Sequence, residues 1–210
     1  DIETLSNCFI FSFEALHSDL SGVFEVSQYR DDRRELLAWF AYWQAHQVPM
    51  IGFNTLAFDY PVIHFIYNNQ DCSVWEIFDK AQEQISDRTM FSQVWLSDRF
   101  APQIDLFKIH HFDNKAKTTS LKALQFNMRA ESVEEMPLPW DVPVSPQNVD
   151  AVLIPYNRHD VKETKRFAHF SMDAIKFRLG LSETLQGDVL NFNDTKIGAK
   201  ILEQRLGDDL

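Results

Sequence analysis

At 210 residues, with a hydrophobic fraction of 45%, 18 Phe and 5 Trp, the chain can bury one sizeable core and is not of disordered composition. No apolar run approaches the roughly 20 residues that span a bilayer. Cys8 and Cys72 have neither CxxC spacing nor a nearby His pair, which argues against a structural zinc and fits a reducing compartment. The net charge of −11 argues against a protein that coats nucleic acid nonspecifically, because that needs a basic surface.

Asp1 and Glu3 open the chain two residues apart, so on a strand both side chains point to one face. The chain does not begin with Met, and no apolar segment precedes Asp1 to anchor such a strand, so an earlier start is expected. Cys8 to Leu16 and Gly22 to Tyr29 read as strands joined by a polar turn. Asp31 and Asp32 then offer the start of a helix of about 15 residues with Leu36, Leu37, Phe40 and Trp43 at helical spacing. Met50 to Phe53 reads as a short buried strand. Asp59 is expected just beyond it, near the start of a helix carrying Val62, Ile63 and Ile66.

Val74 to Ile85 reads as a helix, Ile104 to Ile109 as a strand or a helical turn, and Ser120 to Met128 as a helix. Glu131 to Pro146 contains Pro137, Pro139, Pro143 and Pro146 and is expected to be an extended loop. A long helix is expected from Pro155 to about Leu179, stopped by Gly180. Strands first, then strand and helix alternating, is the order of an α/β domain over residues 1–180. Residues 181–210 read as a linker or the start of a following region, with a helix over Lys196 to Leu206.

The chemistry-bearing residues are four carboxylates, Asp1, Glu3, Asp59 and Asp160, together with Tyr156. Tyr156 and Asp160 are four apart and share a face of a helix, one turn from each other. Carboxylates gathered at one point repel unless a cation binds between them. Hard divalent ions such as Mg²⁺ or Mn²⁺ fit, and two of them can hold both oxygens of an in-line phosphoryl displacement. Each residue also has a plainer reading. Asp1 and Glu3 could be a solvated chain end, Asp59 a helix N-cap, Tyr156 an ordinary amphipathic tyrosine and Asp160 a surface acid. His110 and His111 diverge in direction and do not suit one shared ion. Lys115, Lys117 and Lys122, and Lys162, Lys165 and Arg166, could contact phosphates or form solvated faces.

Asp1-Ile2-Glu3-Thr4, Asn54-Thr55-Leu56-Ala57-Phe58-Asp59 and Tyr156-Asn157-Arg158-His159-Asp160, in this order, resemble the three motifs of the DnaQ-like (DEDD) 3′→5′ exonucleases. They are most similar to the proofreading domains of family-B DNA polymerases, phage enzymes included. The resemblance runs from Asp1 to about Leu179. It implies a ribonuclease H-like α/β fold, a mixed central sheet flanked by helices. It also implies that two Mg²⁺ or Mn²⁺ ions are held by Asp1, Glu3, Asp59 and Asp160. The histidine subclass carries His where this chain has Pro155, so the tyrosine subclass is implied, with Tyr156 orienting the attacking water.

The same resemblance implies that Thr4, Asn54 and Phe58 hold the single-stranded DNA 3′ end, Phe58 by packing against a base. Ser120-Leu121-Lys122-Ala123-Leu124 is similar to a Ser/Thr-Leu-x-x-hydrophobic motif of protein-primed phage polymerases, which adds Ser120, Leu121 and Lys122 to the expected DNA contacts. Asp105 resembles an acidic position of some members but is not assigned to the metals. A polymerase domain in the same parent chain and a cytoplasmic setting, in a bacterial or phage-infected cell, are implied partners and context. The alternatives are a free-standing DNase or RNase of this family, a structure-directed endonuclease, and a noncatalytic interaction module of the same fold.

Overall fold

The computed structural model describes residues 1–86 and 93–207. Three strands, β1 (Ile2–Leu5), β2 (Cys8–Glu14) and β3 (Ser21–Ser27), form an antiparallel sheet in the order β1-β2-β3. The middle strand opens with four consecutive apolar residues, Cys8 to Phe11, as a strand covered on both faces must. Register fixes which residues share a side. Ile2 pairs with Phe11 and Thr4 with Phe9, while Glu3 pairs with Ile10 and Leu5 with Cys8.

The face of Ile2, Phe9, Phe11, Phe24 and Val26 packs against α1 (Arg33–His46) and the later helices α2 (Asp59–Asn68) and α3 (Val74–Ser86). Phe11 meets Phe40 of α1 edge-on at 5.6 Å, the offset geometry aromatic quadrupoles favour. The opposite face, with Leu5, Cys8 and Ile10, is closed by Val144, Val149 and Leu153. These lead into α7 (Ile154–Phe170), which crosses β2. The helix α1 starts where expected, but the capping acceptor for Arg33 N–H is Asp31, at 3.0 Å. Asp32 instead accepts from Glu25 N–H at 3.0 Å.

A second sheet pairs β4 (Met50–Gly52) with β5 (Gln103–Asp105) in parallel. Parallel and antiparallel pairings are thus both present, but in two small sheets instead of the one mixed sheet anticipated. Gly52 is required at the end of β4, because a Cβ there would lie 2.7 Å from Thr55 Cβ. The segment expected as strand or helical turn is both in succession: β5 runs directly into α4 (Leu106–Ile109). α5 (Leu121–Asn127) is capped by Ser120, whose hydroxyl accepts from Ala123 N–H at 3.1 Å.

The proline-rich stretch before α7 is extended, as read, and is pinned where Asn7 and Val144 exchange hydrogen bonds of 3.0 and 2.8 Å. The helix carrying Tyr156 does not begin at Pro155. A short turn, α6 (Pro146–Asn148), and a π-helical turn, Val149–Leu153, lead into it. Proline has no N–H to donate, and its ring crowds the carbonyl four residues back, so a widened turn ahead of Pro155 accommodates it.

The long helix expected to reach Leu179 is two helices. α7 ends at Phe170, where Ser171 N–H bonds the Phe167 carbonyl at 3.0 Å and the Ser171 hydroxyl meets His110 Nε2 at 2.8 Å. The next helix, α8 (Met172–Leu185), runs through Gly180 and ends at Gln186, in the left-handed region at φ 50°. A single exposed glycine lowers helix propensity by about 1 kcal/mol, which does not stop a helix.

The chain then folds back. The Asn191 side chain accepts from Asp105 N–H at 2.7 Å and donates to the Gln103 carbonyl at 2.7 Å, mimicking a strand partner for β5. Arg178, 3% exposed, donates to the carbonyls of Phe192, Ala174 and Ile109 and to Asp194 at the start of α9 (Asp194–Leu206). Among the described residues no helix is long and apolar enough to cross a membrane.

Candidate metal centre

Three of the four acids singled out in the sequence meet. Carboxylate oxygens of Asp1, Glu3 and Asp160 lie within 4.8 Å of one another. The local causes are separate. Asp1 is already in register with β2, exchanging backbone hydrogen bonds of 3.1 Å with Ser12, so the strand alternation carries its side chain to the same face as Glu3. That is the face crossed by α7, which brings Asp160 over it.

Asp59 stands apart from this group. It is buried as the first residue of α2, and its Oδ1 accepts from Ile2 N–H at 3.2 Å at the edge of β1 that faces away from β2. Its charge is still felt at Glu3.

Electrostatics follow from that crowding. Burial pushes the Glu3 carboxyl up to about 8, with the charges of Asp160 and Asp59 adding to it and Lys122 opposing. Burial also raises Asp160, against the side-chain amide of Gln125 and the Tyr156 hydroxyl, and it raises Asp59. Tyr156 is buried one turn before Asp160. Burial, then the charges of Asp160 and Glu3, hold its phenol well above the usual range. It therefore stays a hydroxyl at neutral pH. A set of oxygen donors that resist ionisation together is the environment a hard divalent cation relieves.

The remaining expected site residues are distributed as follows. Thr4 is half-buried and lies on the strand face opposite Glu3. Asn54 adopts a left-handed conformation at φ 59°. Phe58 is half-buried against the aromatic core. Leu121 is half-buried on α5 beside exposed Ser120. Lys122 pairs loosely with Glu135, at 3.7 Å, and its charge is felt at Glu3 and Asp160. His110 and His111 part ways, His110 to Ser171 and His111 to Asp113. Of the other basic residues weighed, Lys165 pairs with Glu14 at 3.3 Å and Arg166 with Glu163 at 3.6 Å.

Sequence reasoning missed two residues. Gln125 Nε2 donates to Asp160 Oδ1 at 3.1 Å, and Asn157 Nδ2 donates to Asp1 Oδ2 at 2.7 Å; both amides are fully buried. Their signals were present but faint. Asn157 is three residues before Asp160 on one helix face, and Gln125 is a polar residue within a stripe of Leu121, Leu124 and Met128. Asp105, an acidic position not assigned to the metals, holds backbone instead. Fully buried, it accepts from the N–H groups of Asn54, Leu56 and Phe107 at 2.8, 3.1 and 2.9 Å, fixing the loop that leads to Asp59. Comparisons of the chain with protein-family models, curated proteins and solved structures find no match.

Proposed function

We propose that this chain is a metal-dependent 3′→5′ exonuclease that removes nucleotides from single-stranded DNA 3′ ends, as the proofreading domain of a phage-type DNA polymerase carried in the same parent chain. The observation that carries the reading is the meeting of Asp1, Glu3 and Asp160 within 4.8 Å, with Tyr156 one helical turn from Asp160. The ribonuclease H-like form of the fold is part of this proposal. In its favour are an antiparallel three-strand meander, a helix, and then a parallel strand pair, with Asp59 bound to the outer edge of β1.

The residues suit Mg²⁺ or Mn²⁺. The donor set is all carboxylate, and the buried amides of Gln125 and Asn157 aim their N–H groups at two of the ligands. Asp1, Glu3 and Asp160 would hold one ion, and Asp59, whose Oδ1 already accepts from Ile2 N–H, would support a second beside Asp1 through its other oxygen, partly by way of water. Such ions activate a bound water and stabilise charge on the phosphoryl and leaving oxygens.

The chain's own side chains supply the rest. The un-ionised Tyr156 hydroxyl orients the attacking water. Lys122, whose charge already reaches Glu3 and Asp160, attracts the scissile phosphate into an otherwise acidic pocket. Asn54 and Phe58, with Ser120 and Leu121, would border the path of the strand, whereas Thr4 lies on the strand face away from Glu3 and has no place in it. An aromatic face such as that of Phe58 is worth about 1–3 kcal/mol per stacked base in sites of this kind.

The test is incubation of the purified chain with 3′-labelled linear DNA, linear RNA and circular single-stranded DNA, with Mn²⁺ or with EDTA. Stepwise loss from the linear DNA 3′ end, dependent on Mn²⁺, is expected. Cutting of the circle would make the enzyme an endonuclease, and preference for RNA would replace the substrate. Failure to bind Mn²⁺ at all would leave a noncatalytic module.

A further inference from the structure

Gln125 and Asn157 lie on different helices, α5 and α7, and both are fully buried. Each spends one N–H on a different carboxylate of the same cluster, Gln125 on Asp160 and Asn157 on Asp1. Each also keeps a buried carbonyl oxygen, Gln125 Oε1 and Asn157 Oδ1, without a hydrogen-bond partner among the described residues. Buried amides normally satisfy both ends. A buried amide with an unpaired oxygen is costly, so two of them at one cluster call for a reason beyond packing.

The rest of the neighbourhood explains their direction. An ionised carboxylate needs donors, and besides Gln125 the groups acting on Asp160 are the Tyr156 hydroxyl, His159, Lys122 and the acids themselves. An amide is a neutral side chain that can donate to a carboxylate without bringing a positive charge into a cation's place. Gln125 has a second consequence, since it sits one turn beyond Lys122 on the helix that Ser120 caps. Displacement of α5 therefore moves a hydrogen-bond donor of Asp160.

We propose that Gln125 and Asn157 are positioning residues that hold Asp160 and Asp1 in the orientation a divalent cation requires, and that Gln125 links α5 mechanically to that site. The inference rests on the metal-centre reading above. Their role is to select one carboxylate rotamer each, so their loss weakens the ion's hold without removing a ligand.

The experiment is Mn²⁺ titration by calorimetry of the full chain and of Gln125→Met, Asn157→Leu and Asp160→Asn, alongside thermal melting without metal. A 10–100-fold loss of Mn²⁺ affinity is expected for Q125M and for N157L, the range typical of outer partners of metal ligands, with little change in the metal-free melting temperature. Should either fail to fold, Q125A or N157A removes the amide without introducing a larger side chain and is read the same way. Unchanged Mn²⁺ affinity in these variants, or a lowered metal-free melting temperature alone, overturns the proposal if D160N abolishes binding. If D160N binds Mn²⁺ as the unaltered chain does, the metal-centre reading itself falls and this inference with it.

Discussion

The side-chain amide of Asn157 reaches Asp1 Oδ2 at 2.7 Å, joining positions 156 residues apart. The bond is possible because α7 lies across the face of β2 next to the strand that bears Asp1 and Glu3. A strand and a helix are rigid, so the acids they carry are held within a narrow range of positions. That is what a site with little tolerance for misplacement needs.

Asp160→Asn and Asp1→Ala are expected to abolish Mn²⁺-dependent hydrolysis while far-UV circular dichroism stays unchanged. Asp160→Asn removes one of several mutually repelling carboxylates and keeps an acceptor for Gln125, so its metal-free melting temperature should hold or rise. Release of nucleotides by the purified double variant would refute the catalytic role of these acids.

Tyr156→Phe removes a hydroxyl but no charge and leaves the buried ring in place. Hydrolysis should slow by roughly 10–100-fold, as for loss of an outer partner of a metal site, and less severely than for Asp160→Asn. Single-turnover rates on labelled DNA measure this, and an unchanged rate would strike Tyr156 from the mechanism.

Stability without metal should fall as pH rises. Glu3 has a carboxyl at about 8 in the folded chain against an ordinary 4.5, so between those values the folded state binds more protons than the unfolded one. Stability is then fullest below about 4.5 and is lost progressively up to about 8. Asp59, Asp160 and Asp105, the last at about 6, shift in the same direction. Melting temperatures across this range should decline less steeply for Glu3→Gln. Mn²⁺ should restore stability at the alkaline end by binding the folded state. A flat profile for the unaltered chain would contradict the crowding described here.

Asp105→Ala should destabilise without touching a metal ligand. It strips the acceptor from the N–H groups of Asn54, Leu56 and Phe107, and a buried donor left bare costs about 1–3 kcal/mol. A loss of at least roughly 2 kcal/mol in urea denaturation is expected. Mn²⁺ affinity should fall far less than for Asp160→Asn. The reverse order would put Asp105 into the metal site and Asp160 outside it.

Much of the local structure was legible because local rules govern it. Alternation and a continuous apolar run marked β2 and β3, helical spacing marked α1 and α3, and prolines marked the loop before α7. Gly180 misled because propensity is a weak local term. The stop falls at Ser171, whose hydroxyl bonds His110, a residue 61 positions away. The strand pairing into two sheets and the docking of Asn191 on β5 depend on partners that are remote in the chain.

By itself the sequence determined the chemistry available: four acids and a phenol at strand and helix spacings, each able to reach a shared face. Only the tertiary structure decided which of them share it. Asp1, Glu3 and Asp160 do, whereas Asp59 is taken up by a backbone N–H of β1 and Asp105 by three others. The reason is that a buried carboxylate binds whichever donors the packing leaves unpaired. Which N–H groups those are is settled by strand edges and loop closures that no short stretch of residues encodes.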